Sequence, residues 1–201
     1  MALQADEYLR ELIGRAQSGD AEAVTELYQT HIDRIFRYIA YRVPDTESED
    51  ITADVFTTMV TDLVKYTYTG APFEAWLYSI ARARIADFHR KRRQDVEEID
   101  EQIADETMPP EERMVQSQEY AAIKEALSQL SEDEQELLIL RFVERMAHDK
   151  VAEIMGKSLA AVRTMQHRAL TKLAQRLQAK GKEYHYLRGE TPPESPTDES
   201  D

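Results

Sequence analysis

Apolar residues recur every three to four positions along most of the chain, the repeat of helices with one dry face. Val24, Leu27, Tyr28, Ile32, Ile35, Phe36 and Ile39 step this way. Gly19-Asp20 ahead of them breaks one helix, and Asp20 is placed to cap the next, because its carboxylate can accept from the free N–H groups of a first turn. Val43-Pro44-Asp45 interrupts, since proline lacks a donor and restricts the residue before it. Ile51, Val55, Met59 and Leu63 then predict a helix from about Glu47 to Tyr66. Thr67 to Pro72 reads as a loop. Phe73, Trp76, Leu77, Ile80 and Phe88 mark the stripe of a further helix that ends in Arg90-Lys91-Arg92-Arg93.

The repeat lapses over residues 95–118, which are acidic, poor in apolar residues and broken by Pro109-Pro110, the signature of a tether. It resumes through Ile123, Leu127 and Leu130, then Leu137, Leu138, Leu140 and Phe142, then Val151, Ile154 and Met155. The pattern predicts an all-α chain of two small helical domains, 5–94 and 119–179, joined by the acidic linker 95–118 and followed by a disordered acidic tail, 180–201.

Composition narrows the class. In 201 residues there is no cysteine, which excludes a disulfide scaffold, thiolate metal sites and a cysteine nucleophile, and fits a reducing cytoplasm. No apolar run is long enough for a membrane span, and the start MALQADEYLR has neither the basic patch nor the apolar stretch of a leader, so no membrane insertion is expected. The five histidines show no metal-ligand spacing and no glycine-rich phosphate loop occurs, so neither an enzyme nor a metal or cofactor site is expected.

A net charge of −14 argues against nucleic acid only if it is uniform, and it is not. Residues 61–94 carry 3 acids and 7 bases, and residues 137–180 carry 3 acids and 9 bases. Residues 95–136 carry 15 acids and 2 bases. Phosphates meet local charge, so the two basic islands keep DNA binding open; solvated helix faces are the plainer explanation of either island alone.

The second island holds the sharpest local pattern. A short helix, Asp149 to Met155, meets a break at Gly156-Lys157, and Ser158 is placed to cap a longer helix. At 100° per residue, Leu159, Val162, Ala169, Leu173 and Leu177 fall on one side, and Arg163, Thr164, His167, Arg168 and Thr171 on the other. Gln166 lands on the apolar side and needs a partner. This division suits a helix-turn-helix whose second helix reads base edges, and it also suits an ordinary helical hairpin. In the first island, Tyr66 and Tyr68 beside a basic helix are candidates to stack on unpaired bases, while Phe73 and Trp76 lie on the core stripe.

At this point the chain resembles the bacterial sigma-70-type transcription initiation factors of the extracytoplasmic-function (ECF) group. AQSGDAEAVTELYQTH looks like the family's entry helix, SEDITADVF its core-polymerase-binding helix, APFEAWLYSIARARIADFHRKRRQ its −10 reader, and LSEDEQELLILRFVERMAHDKVAEIMGKSLAAVRTMQHRALTKL its −35 reader. The resemblance implies that Asp50, Ile51, Asp54, Val55 and Phe56 dock on core RNA polymerase. It implies that Tyr66, Tyr68, Phe73, Trp76, Arg82, Ala83, Asp87, Arg90 and Arg92 meet melted, single-stranded −10 DNA. It implies that Ser158, Arg163, Thr164, His167, Arg168 and Lys172 read the −35 duplex, and that an anti-sigma protein covers these faces. The chain departs from the family pattern at Ala53, where glutamine is usual, and at Ala83, where asparagine is common. The acidic linker would lie in the polymerase's basic channel, or simply set reach. The competing reading is a dimeric helix-turn-helix regulator that binds duplex DNA without acting as a sigma subunit.

Overall fold

The computed structural model describes residues 2–68, 71–98 and 111–178, with side chains from 7 inward, apart from 95–118 and 178. The middle of the acidic linker, 99–110, and the whole tail therefore lie outside the described residues. Within them the chain is helical throughout: α1 (Ala2–Gln17), α2 (Ala21–Ala40), α3 (Asp45–Asp62) with a 3-10 turn at Leu63–Lys65, and α4 (Phe73–Glu98). There follow α5 (Glu111–Ser128), α6 (Glu132–Leu138), a π-helical turn at Ile139–Val143, α7 (His148–Met155) and α8 (Leu159–Gln178). Helix α5 begins inside the stretch expected to be a tether. Among the described residues, no helix is long and apolar enough to cross a membrane.

The punctuation follows local chemistry. Asp20 Oδ1 accepts from the N–H groups of Glu22 and Ala23 at 3.0 and 3.2 Å, opening α2 as its position suggested. Ser131 and Glu134 cap α6 reciprocally, each side chain taking the other's backbone N–H. Gly156 ends α7 in the left-handed region, at φ 62° and ψ 32°. A Cβ there would touch nothing within 4 Å, so the cost of a side chain is purely one of backbone conformation. Gly156→Ala is expected to lower stability by about 1 kcal/mol, read as a shift of the urea midpoint at unchanged slope.

Helices α1 to α4 wrap one core, with Leu27, Ile39, Val55, Met59, Leu77 and Ile85 at or near zero exposure. That core does not stop at the first unit. Leu137, Ile139, Leu140, Val151, Ile154 and Val162 belong to the same apolar cluster. A second cluster, centred on Leu127, Leu138, Ala169 and Leu173, joins α5, α6 and α8. The two helical units are thus packed on one another, with α7 against α4 and the π turn against α2.

Several apolar positions differ from the helical-wheel expectation. On α4 the deepest residues are Phe73, Leu77, Tyr78, Ala81 and Ile85, whereas Trp76, Ile80 and Phe88 are half-buried. Phe142, expected inside, is 47% exposed. It follows Leu138 by four residues, but the π turn adds a residue to the winding, so the two no longer share a face. Leu159 is 39% exposed because it opens α8 beyond the reach of α6.

Candidate nucleic-acid interface

The base-reading candidates sit on α8. Val162, Ala169, Leu173 and Leu177 are buried, and Arg163, Thr164, His167, Arg168, Thr171 and Lys172 are exposed. Ser158 Oγ accepts from the Ala161 N–H at 3.2 Å, so Ser158 caps the helix at the edge of this face. Gln166 finds its partner in Arg141, whose Nε donates to Gln166 Oε1 at 3.1 Å. Arg141 also donates to the Met146 carbonyl, tying α8 to the turn before α7. Lys172 is held at 2.6 Å by Glu134, and Lys157 at 2.9 Å by Asp133. Burial would raise the Glu134 carboxyl, but Lys172 and the Ser131 cap bring it below the usual range.

A second group gathers around the start of α4. Tyr66, Phe73 and Trp76 form a three-ring cluster with centroids 4.9 to 5.4 Å apart. Phe73 is buried and also faces His31 at 5.5 Å, so it packs and has no surface for DNA. Tyr66 and Trp76 keep part of their surface, and Tyr68, 45% exposed, lies under the Arg10 guanidinium at 4.2 Å. Gln17 holds this aromatic platform in place by donating to the Leu63 and Tyr66 carbonyls at 2.9 and 2.7 Å. Neither Gln17 nor Arg10 carried a signal in the sequence, because both act across the fold from α1.

Along α4, Arg90 and Arg92 are exposed, as is Ala83. Asp87 lies between Arg90 at 2.7 Å and Arg84 at 3.9 Å. Arg84 Nη2 also donates to Thr58 Oγ1 at 2.8 Å, bracing α4 on α3. Arg82 is engaged by Glu136 of α6.

On α3 the expectation divides. Asp50 and Asp54 face solvent, but Ile51, Val55 and Phe56 are buried, with Phe56 edge-on to Tyr28 at 4.8 Å. The spacing of four that marked Ile51 and Val55 is the dry stripe of the helix, so they hold α3 in place. The outward surface is completed by Ala53, Thr57, Val60 and, just past the helix, Val64, which is 67% exposed.

One titratable group lies deep between the units. His31 on α2 is 4% exposed, with Nε2 unpaired, and it is faced by Arg34 of its own helix, Glu74 of α4 and Lys150 of α7. Burial, helped by the two cations and opposed by Glu74, holds its pKa below the ordinary value. The folded chain therefore refuses a proton that the unfolded chain accepts below about pH 6.5. Stability is expected to fall as pH drops through that window, and His31→Gln to flatten the decline, measured as urea midpoints between pH 7 and 5. His89, also lowered by burial, contributes with the same sign.

Residues 27–94 match the family model for sigma-70 region 2, and residues 120–173 match that for sigma-70 region 4. The chain is 35% identical over 173 residues to the ECF RNA polymerase sigma factor BldN of Streptomyces coelicolor, covering 84% of this chain and 66% of BldN. It is 31% identical over 188 residues to the ECF RNA polymerase sigma factor SigD of Mycobacterium tuberculosis, covering 87% of this chain and 86% of SigD. The solved structure of CnrH in complex with the cytosolic domain of CnrY shares the fold, with a TM-score of 0.63 at 23% identity over 85% of this chain and 97% of that one.

Proposed function

Because this chain belongs to the ECF group of sigma-70 factors, we propose that its surfaces divide promoter recognition between two units, 5–94 and 119–179. The chain is a transcription initiation factor: it binds core RNA polymerase and directs it to promoters with a duplex −35 and a melted −10 element. Its family is not enzymatic, since the bond-making chemistry is the polymerase's, and its place is the cytoplasm, where the polymerase works.

The observation that supports this division best is the two-sided character of α8, dry on Val162, Ala169 and Leu173 and donor-rich on Arg163, Thr164, His167 and Arg168. A guanidinium can pair with both acceptors on the major-groove edge of guanine, and hydroxyl and imidazole groups can give or take a hydrogen bond. In the first unit Tyr66, Tyr68 and Trp76 offer ring faces, and Arg82, Arg90 and Arg92 offer charge along the strand. Stacking contributes about 1–3 kcal/mol per base, enough to offset much of the cost of unstacking. The outward face of α3, with Asp50 and Asp54 flanking Ala53, Thr57 and Val60, suits a polymerase surface that is basic with apolar ground between. Tethering both DNA contacts to one enzyme makes two modest affinities into one strong one. An anti-sigma protein that covers these faces is the regulator this family membership suggests; CnrH in its solved complex is bound by the cytosolic domain of CnrY.

The test is transcription from a promoter library by bacterial core polymerase with and without the chain, scored by sequencing 5′ ends. New starts sharing two upstream elements are expected. No new starts together with no binding to core would overturn the assignment and bring back the dimeric regulator.

A further inference from the structure

Helix α1 brings two side chains to the aromatic platform that no spacing in the sequence assigned to it. Arg10 and Gln17 stand two turns apart on one helix face, with Gly14 between them. A Cβ on Gly14 would meet nothing within 4 Å, so the backbone there is bare and open to an approaching strand. Gln17 grips the Leu63 and Tyr66 carbonyls at 2.9 and 2.7 Å. Arg10 makes a different contact: its guanidinium lies over the face of the Tyr68 ring, 4.2 Å from the centre.

The charge of Arg10 is uncommitted. Arg37 gives two hydrogen bonds to Glu144, Arg82 is engaged by Glu136 and Arg90 by Asp87. Arg10 is exposed, and among the described residues no carboxylate pairs with it. A base stacked on Tyr68 needs the place this guanidinium holds. A sandwich of ring, base and guanidinium requires roughly twice the stacking step of about 3.4 Å, and the present separation is 4.2 Å. An exposed cation–π contact is weaker than a base stacked on a ring, so the base takes the face. The displaced cation then stands beside the strand for which it has made room, and a phosphate can accept two parallel hydrogen bonds from a guanidinium.

We propose that Arg10 is a ligand of the single-stranded −10 DNA: it rests on the Tyr68 ring in the free chain, yields that face to an unpaired base, and pairs with the phosphate beside it. Gln17 is a positioning residue, fixing Tyr66 at the edge of the platform without touching the strand. The proposal rests on the reading of Tyr66 and Tyr68 as the place where a −10 base is captured, and extends that place to α1. A phosphate contact carries no sequence information and stacking tolerates every base. Arg10 therefore adds affinity evenly across −10 sequences, and the choice of base is left to other groups.

The probe is a fluorescein-labelled single-stranded oligonucleotide carrying the −10 element that the promoter library returns. It is titrated with the full chain bound to core polymerase, between about 50 and about 500 mM salt. Arg10→Ala is expected to bind about tenfold more weakly at low salt. That deficit should shrink about fivefold at high salt, the change produced by losing one single-strand phosphate contact, worth about 0.7 in log–log slope. Arg10→Lys, which keeps the charge, should restore the slope, and Gln17→Ala should weaken binding at the parent slope. Melting should be unchanged in both Arg10 variants, since the side chain is exposed. An unchanged slope in Arg10→Ala, with binding lost in Tyr68→Ala, overturns this proposal alone and leaves Arg10 as a clip that steadies the ring. Tighter binding by Arg10→Ala overturns it too, because the guanidinium would then only obstruct the ring. A slope that falls as far in Gln17→Ala overturns it as well, since the change would follow from disturbing the platform. Undiminished binding by Tyr68→Ala overturns the stacking reading and the proposal together.

Discussion

Replacing Arg163 and Arg168 together by alanine is expected to remove about 2–6 kcal/mol of promoter affinity, from two guanidinium contacts worth about 1–3 kcal/mol each. In run-off transcription from a promoter with a −35 element, that is a loss of at least ~30-fold. Both side chains are exposed, so thermal stability should stay within about 0.5 kcal/mol of the parent, and the loss cannot be mistaken for unfolding. Salt separates the two ways an arginine can act. If either contacts phosphate, its removal lowers the slope of log K against log salt by about 0.9. If either reads a base, the slope holds and the preference at one −35 position relaxes. Unchanged transcription from the double variant would mean that α8 does not carry recognition.

Leu140→Ala is the second large effect, and it concerns how the units cohere. Leu140 is fully buried in the cluster that runs from α2 through α4 into α7 and α8. Truncation there should cost about 2–5 kcal/mol, lowering the melting temperature by roughly 4–20 °C for a chain of this size. Because the cluster is common to both units, the variant should still melt in a single, earlier transition. Leu173→Ala, in the separate cluster of α5, α6 and α8, should instead loosen the second unit first. If Leu140→Ala produced a split transition with the first unit unaffected, the shared core would have no energetic meaning.

Much of this architecture is legible from local chemistry. The caps at Asp20 and Ser158, the break at Gly156 and the two faces of α8 all depend on residues within a turn of one another, where spacing alone decides the outcome. Gln166 was legible as a polar residue in want of a partner, though not that Arg141 supplies it. The inter-unit pairs were not legible at all. Arg37 and Glu144 are separated by 107 positions, and Arg82 and Glu136 by 54, so no periodicity links them, and Glu136 reads as one more solvated acid in an acidic block. The candidate residues on α3 divide for a related reason. Ile51, Val55 and Phe56 stand in the string that carries the family resemblance; the spacing of four already put Ile51 and Val55 on the dry stripe, but nothing in it marked Phe56 as buried. The winding of α3 sends those three into the core and leaves Asp50, Ala53, Asp54 and Thr57 outside.

The π-helical turn at Ile139–Val143 can be regarded as an α-helix into which one residue has been inserted. Delete that residue and the ladder returns to ordinary winding, with the residue that follows it turned by about 100° and drawn back by about 1.5 Å. Glu144, the first residue past the turn, would leave the two nitrogens of Arg37. The angle at which the second unit meets the first is thus tied, on this protein, to an insertion of the smallest kind a gene can tolerate in frame. A change of a single codon there would alter the seam between the two units without touching any residue of their shared apolar cluster beyond the turn.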